Sequence, residues 1–93
     1  MKLPKVRTFR TNSGGVVANQ FYIITPKDKH IFQSYGTTIA VKNMNTGKIT
    51  LDEACWDYSA TTGKYRNKFL GEGIADTREK IKSGEYALKD LNK

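Results

Sequence analysis

The sequence predicts an α+β domain, built as a three- to four-stranded antiparallel meander followed by two short helices packed on it. Segments rich in β-branched and aromatic residues alternate with turn signals as far as residue 52. Capping hydroxyls and glycine stops then frame two short helical segments. The 93 residues, 38% of them hydrophobic, form a single domain (1–93) with a thin core.

The first two strands are predicted on either side of a glycine-rich turn. Residues 5–11 form a basic first strand, and Asn12–Gly15 is a turn signal. Residues 16–25 form the second strand because β-branched and aromatic residues dominate them. The segment 26–29 ends it, since Pro26 favours a turn and cannot donate to a ladder.

The meander is predicted to continue through residue 52. Residues 30–41 form one extended stretch, in which Gly36 marks a bulge or bend. A short loop at 43–47 then leads into a partner strand at 48–51. Together, residues 16–52 form a three-stranded antiparallel meander. Its period-two pattern predicts that four apolar residues match across the last pair of strands: Ile39, Val41, Ile49 and Leu51.

The first helix is predicted over residues 64–70, with Ser59 or Thr61 as its cap and Gly71 as its end. A helical wheel places one set of side chains toward the sheet: Tyr65, Phe69 and Leu70, with Thr62 and Arg66 among them. The opposite face carries Lys64, Asn67 and Lys68.

The C-terminal helix and tail occupy residues 75–93. The helix spans about 75–83, with Asp76 or Thr77 as its cap and Gly84 as its stop. Residues 86–91 form either an edge strand or a frayed helical turn, and the sequence leaves both open.

Charge and cysteine content point to a protein of a reducing cytoplasm. The formal net charge is +7, with +5 on residues 1–30, −1 on 31–63 and +3 on 64–93. Such a basic balance either favours an anionic partner or serves solubility alone. A lone cysteine, Cys55, excludes an internal disulfide. The apolar run Phe21–Ile24 is too short to cross a membrane.

Catalytic and metal-binding groups are sparse. Cys55 is the only thiol and His30 the only imidazole, and nothing in the sequence brings them together. The clustered acids Asp52, Glu53 and Asp57 lack the spacing of a calcium loop and predict a solvated loop face. We therefore expect no enzyme, metal or cofactor, although a homo-oligomer could still assemble a shared site.

The segment 56–70 is the most informative for binding, because it combines four large aromatics with three cations. It serves either as a contact surface or as a structural plug into the sheet. The predicted partner- or nucleic-acid-binding surface comprises Lys64, Arg66, Lys68, Tyr35, Trp56 and Tyr58. A second patch comprises Lys5, Arg7 and Arg10. Arg66 falls among apolar neighbours, so we expect it to stack on Trp56 or Tyr58 or to pair with Asp57.

One distinctive string spans residues 32–71. It reads Phe32-x-Ser34-Tyr35, Ile39-Ala40, Leu51, and Trp56-x-Tyr58-Ser59-x-Thr61-Thr62-x-Lys64-Tyr65-x-x-x-Phe69-Leu70-Gly71. This string resembles an uncharacterised family of small tailed-phage proteins. The resemblance implies a phage or prophage origin and expression in a bacterial cytoplasm, and it carries over no site residues.

Two functions are expected from these observations. The first is a phage accessory protein that binds and modulates a host protein, such as a nucleic-acid enzyme; an anti-CRISPR-like inhibitor of a defence nuclease is one form. The second is a basic nucleic-acid-binding module, which needs folding to join the charge at the two ends of the chain.

Overall fold

A computed structural model describes residues 4–10 and 13–92. Eight elements follow one another along these residues: β1 (Lys5–Arg10), β2 (Val16–Ile24), β3 (Lys29–Ser34), β4 (Thr37–Asn43), β5 (Ile49–Asp52), α1 (Ala60–Leu70), α2 (Ile74–Lys82) and β6 (Tyr86–Lys89). The strands form one sheet in the order β1-β2-β3-β4-β5-β6. The predicted α+β class is confirmed.

The sheet differs from the prediction in length and direction. It has six strands rather than three or four, and β6 runs parallel to β5, so the sheet is mixed. This ladder resolves the open choice for the tail, because Tyr86–Lys89 is an edge strand. Thr11 and Asn12, which the predicted first strand and turn include, lie outside the described residues.

The single extended stretch predicted over residues 30–41 is wrong, because the chain reverses inside it. β3 and β4 form a hairpin whose two turn residues, Tyr35 and Gly36, have φ angles of 51° and 79°. Two positive φ angles are what a tight hairpin turn requires, and tyrosine seldom adopts one. The Tyr35 N–H donates to the Asn19 carbonyl at 2.8 Å, which holds the turn in place.

The register between β4 and β5 is one residue away from the predicted one. Ala40 pairs with Leu51 and Lys42 with Ile49, whereas Val41 pairs with Thr50. The pairing between β3 and β4 shifts after Phe32, so that Ile39 becomes the extra residue of a bulge. Because cross-strand partners share a face of the sheet, this shift puts Lys42 rather than Val41 on the face of Ile49 and Leu51, whereas Ile39 stays buried in the core.

Helix α1 begins four residues before the predicted start. Its N-cap is Ser59, one of the two predicted caps, whose hydroxyl accepts from the Thr62 N–H at 3.1 Å. Gly71 ends the helix at φ 73° and donates its N–H to the Asn67 carbonyl, as predicted. Tyr65 and Phe69 are buried and Lys64 and Lys68 are exposed, which confirms the predicted helix register.

Helix α2 begins at Ile74 with Gly73 as its N-cap, so the predicted caps at Asp76 and Thr77 are wrong. The Thr77 hydroxyl is buried and donates to Glu72 at 2.7 Å, which leaves it no capping role. The chain leaves the helix at Gly84, whose φ of 86° fits the predicted stop.

Aromatic rings join α1 to one face of the sheet. Phe9 of β1 lies 5.5 Å from Phe32 and 5.4 Å from Tyr65 between ring centroids. Phe69 completes the cluster at 5.8 Å from Phe32 and 5.0 Å from Tyr22. Beside these rings, the buried Ser34 and Thr62 hydroxyls hydrogen-bond at 3.0 Å. Helix α1 therefore lies across β1, β2 and β3.

The second half of the core is tied together by the Glu72 carboxylate, in the connection between the helices. It accepts hydrogen bonds from Lys80 Nζ at 2.6 Å, Thr77 at 2.7 Å and the Tyr86 hydroxyl at 2.8 Å. Burial alone raises the pKa of Glu72, but these three donors outweigh it and hold that pKa below its usual value. Burial and the bond to Glu72 raise the pKa of Tyr86 to about 12.

Asp52 at the end of β5 is buried, at 2% exposure, so its assignment to a solvated loop face is wrong. Its carboxylate accepts three backbone N–H groups, from Ala54, Cys55 and Leu91, at 3.2, 2.9 and 2.8 Å. Burial opposes the charge, yet the hydrogen bonds from Leu91 and Cys55 prevail and lower the pKa of Asp52. The carboxylate thus anchors the chain segment after β6 to the loop after β5.

The opposite face of the sheet carries a row of paired residues that no helix of the described chain covers. One residue from each strand contributes to it: Val6, Ile23, Ile31, Val41, Thr50 and Ala87. Within the described residues, neither helix has the length and apolar character needed to cross a membrane.

Replacing Asp52 with asparagine is expected to lower the free energy of unfolding by about 2 kcal/mol, because a neutral amide accepts the three N–H groups poorly. Urea denaturation measures the change. The neighbouring Glu53 is exposed, so Glu53→Gln is the control and should change stability by less than about 0.5 kcal/mol. Equal losses in both variants would contradict the anchoring role of Asp52.

Acid is expected to destabilise the fold through Asp52 and Glu72, whose pKa values are both lowered in the folded chain. In the unfolded chain the pKa values of these carboxyls are about 3.9 and 4.3, so the unfolded state binds more protons than the folded state on acidification. Their stabilisation is therefore complete above about pH 5 and is lost as the pH falls through the folded-state pKa values. Urea midpoints across this range should fall less steeply in Asp52→Asn than in the parent protein.

Candidate functional site

Five exposed cations lie on β1 and α1, two elements that contact each other through Arg10 and Lys68. Three come from β1 and two from the outer side of α1: Lys5, Arg7, Arg10, Lys64 and Lys68. We call this set the basic face. It merges the two separately predicted patches, apart from the residues discussed below, because the fold lays the first strand beside the helix.

Contacts between β1 and α1 hold the basic face together. Lys68 Nζ lies 3.4 Å from the Arg10 carbonyl oxygen, so α1 reaches β1 directly. Lys64 and Lys68 both place their ammonium groups near the Tyr65 ring, at 5.5 and 5.3 Å from its centroid. Tyr65 also packs on Phe9 of β1, so the ring that these two lysines approach is part of the contact between α1 and β1.

Acidic residues are missing from the elements that build the basic face. The chain has no Asp or Glu before Asp28, and α1 contains none. Among the described residues, no carboxylate lies within ion-pair distance of any of the five cations. The positive potential there is therefore not neutralised within the described chain, and it can attract an anionic partner.

Arg66 lies behind this surface rather than on it, with 1% of its area exposed. One guanidinium nitrogen donates to the Trp56 carbonyl at 2.7 Å and to Asp57 at 3.2 Å, and the other donates to Asn67 at 3.0 Å. Its guanidinium carbon also lies 5.4 Å from the Trp56 ring centroid. Of the alternatives expected for Arg66, stacking on Trp56 and pairing with Asp57 are both found, and burial makes Arg66 a structural residue.

The aromatic members of the predicted surface are dispersed. Tyr35 occupies the β3–β4 turn with 59% of its area exposed, and Tyr58 lies before α1 with 49% exposed. Trp56 is half-buried over Arg66. No ring contact joins these three residues in the part of the chain that is described.

A shallow depression at the start of α1, of about 600 Å³, brings Tyr58 together with Lys64. Asp57 also lines it and bridges Arg66 and Arg78, at 3.2 and 3.5 Å. The carboxylate keeps this depression electrostatically mixed, whereas the β1 side of α1 is purely basic.

A second concavity adjoins the basic face at Arg7. This cleft, of about 370 Å³, is lined by residues of β1, β2 and β3: Arg7, Thr8, Phe9, Tyr22, Ile24 and His30. The Tyr22 hydroxyl hydrogen-bonds to Nδ1 of His30. Burial raises the pKa of Tyr22, and the nearby positive charge of Arg7 partly offsets that rise.

Sequence reasoning missed this cleft. Its lining comes from three strands, and the pairings of Arg7 with Tyr22 and Ile24 with His30 bring the residues together. The sequence shows only a period-two pattern within each strand. The cleft residues can be grouped from that pattern only when the strand register is known.

The remaining candidate groups, Cys55 and His30, contact different partners. Cys55 donates its backbone N–H to Asp52, and burial followed by the adjacent carboxylate raises the pKa of its thiol. His30 is engaged by Tyr22 instead. In the described ranges, no group of three or more His, Cys, Asp or Glu side chains is arranged to hold a metal ion.

Comparison with known families adds one finding. Residues 1–86 match a family of unknown function, DUF8033. The chain belongs to DUF8033. The match covers β1 to α2 and reaches the first residue of β6, so this DUF8033 member carries both the basic face and the cleft within the family region. No curated protein and no solved structure matches the chain.

Removing the Arg66 side chain is expected to cost about 2 kcal/mol of unfolding free energy, because Arg66→Ala leaves a cavity and takes donors from Trp56, Asp57 and Asn67. Thermal and urea unfolding measure this loss. Lys64→Ala is the matched control, because Lys64 is an exposed residue of the same helix. Its free energy of unfolding should stay within about 0.5 kcal/mol of that of the parent protein. An unchanged melting temperature for Arg66→Ala would show that the residue is not structural.

Proposed function

We propose that this DUF8033 protein binds nucleic acid through the basic face. The single observation behind the proposal is that β1 and α1, which are distant in sequence, meet at the Lys68–Arg10 contact and together carry five cations without an ion-pair partner in the described chain. A row of phosphates is the ligand that such an array of Lys and Arg attracts, and each contact releases condensed counterions.

The expected binding is largely independent of sequence. Three of the five cations lie on one edge strand, so they follow an extended line rather than a helix that could enter a groove. Lysine and arginine contacts to phosphate position a nucleic acid without reading its bases. We therefore expect affinity that falls steeply with salt.

A phage accessory role, in which the chain binds and modulates a host protein, is the second candidate. The exposed Tyr35 and Tyr58 support it, since tyrosine is enriched in protein interfaces. The basic face would then dock on an acidic surface, such as the groove of a nucleic-acid enzyme. The resemblance of residues 32–71 to tailed-phage proteins supports a bacterial, cytoplasmic partner of this kind.

Charge reversal on α1 tests the proposed nucleic-acid binding. Lys64→Glu with Lys68→Glu should weaken the binding of a fluorescein-labelled single-stranded 12-mer by at least about tenfold at low salt. The slope of log affinity against log salt should also become shallower by about 1 to 2 units, because two phosphate contacts are gone. Fluorescence anisotropy measures both quantities.

The matched control reverses the exposed Lys27 and Lys48, which lie in turns outside the basic face and change the net charge equally. Binding should weaken less in this control than in the α1 variant. Equal losses of affinity in the two double variants would show that binding depends on net charge alone and would contradict a role of the basic face. An absence of binding by the parent protein at low salt, together with tight binding to a polyglutamate peptide, would replace the nucleic-acid proposal with the protein-partner one.

A further inference from the structure

The cleft beside the basic face lies where the helix stops covering the sheet. The last ring of α1, Phe69, packs on Tyr22 at 5.0 Å between ring centroids, and the Lys42 ammonium group lies 4.5 Å from the Phe69 centroid. Phe32 beneath the helix is fully buried, whereas Tyr22, Ile24 and His30 remain half-buried. The cleft therefore has apolar walls that solvent can still reach.

The chemistry of the cleft combines flat apolar walls with polar groups. Phe9, Tyr22 and Ile24 supply aromatic and aliphatic surface, and the Phe9 and Tyr22 rings lie 6.3 Å apart between centroids. His30 uses Nδ1 for Tyr22, and its Nε2 has no hydrogen-bond partner among the described residues. Arg7 adds a guanidinium that has no ion-pair partner among the residues the structure describes, and it belongs to both the cleft and the basic face.

A nucleotide offers the complement of these features. Its base is flat and carries hydrogen-bonding groups on its edge, and its phosphate is anionic. We propose that the cleft holds one unpaired base of a single strand, with Arg7 on the adjoining phosphate and the strand continuing over the basic face. The inference rests on the proposed function and adds to it a preference for single strands, because a base inside a duplex cannot enter the cleft.

The experiment compares three labelled ligands of equal length: a 12-residue oligo-deoxythymidine, the same backbone without bases, and a duplex. The oligo-deoxythymidine should bind about tenfold more tightly than the abasic strand at the same salt concentration, since stacking acts only on a base. It should also shift the NMR signals of the Tyr22 and His30 rings, and the abasic strand should not. The duplex should bind less tightly than the oligo-deoxythymidine despite its higher charge density, because its paired bases cannot enter the cleft.

Filling the cleft gives a matched pair of variants. Ile24→Trp should bring oligo-deoxythymidine affinity down to the abasic level, because the indole occupies the space of the base. Ile23→Trp adds the same bulk to the adjacent residue on the opposite face and should leave affinity unchanged. If Ile24→Trp does not fold, the ring shifts in the parent protein decide the question.

The two proposals fail in different ways. Equal affinity for the oligo-deoxythymidine and abasic strands, with Tyr22 and His30 signals unmoved, overturns the base-binding cleft and leaves the basic face intact. Loss of all three interactions overturns both proposals. Tight binding of the duplex alone overturns the cleft, since it places the ligand on the cations without an extruded base.

Discussion

The cluster of rings between α1 and the first three strands is the interaction on which the rest of this molecule depends. Phe9, Tyr22, Phe32, Tyr65 and Phe69 form a connected chain of contacts with centroids 5.0 to 6.3 Å apart. Aromatic side chains bury large areas, which matters in a chain this small. Phe9 is the member from β1, so it connects the edge strand to the helix. Without that connection the cations of β1 and α1 would not share a surface.

Buried charges connect the segments that the rings do not reach. Arg66 ties α1 to the loop before it, Glu72 ties the two helices to β6, and Asp52 ties β5 to residue 91. Each charged side chain has three hydrogen-bond partners, as burial of an ion requires, although Nε of Arg66 has none among the described residues. These three charged groups thus connect different elements, whereas the buried Gln20 side chain has no hydrogen-bond partner in the described chain.

The sequence allowed the local elements to be predicted better than their long-range arrangement. The stop at Gly71 and the outward lysines of α1 follow from local rules of helix geometry, and these predictions are confirmed. The hairpin at Tyr35 and Gly36 was not predicted, because tyrosine rarely adopts a positive φ. The start of α1 was predicted too late, because Gly63 interrupts a helical pattern.

The site shows the same division between local and distant information. Lys64 and Lys68 could be assigned to the surface from a wheel, and Arg66 could be recognised as an anomaly among apolar neighbours. Their meeting with Arg10, and the cleft formed by Arg7 and His30, depend on strand order and register. No periodicity within a single segment encodes those quantities.

The parallel pairing of β6 with β5 imposes an order on folding. The hairpins from β1 to β5 close over short loops, whereas both helices separate β5 from β6 along the chain. Closing that long connection costs more chain entropy. Contacts made by the docked helices, including the hydrogen bond from Tyr86 to Glu72, offset this cost. We therefore expect the β5–β6 edge of the sheet to form after the helices have docked.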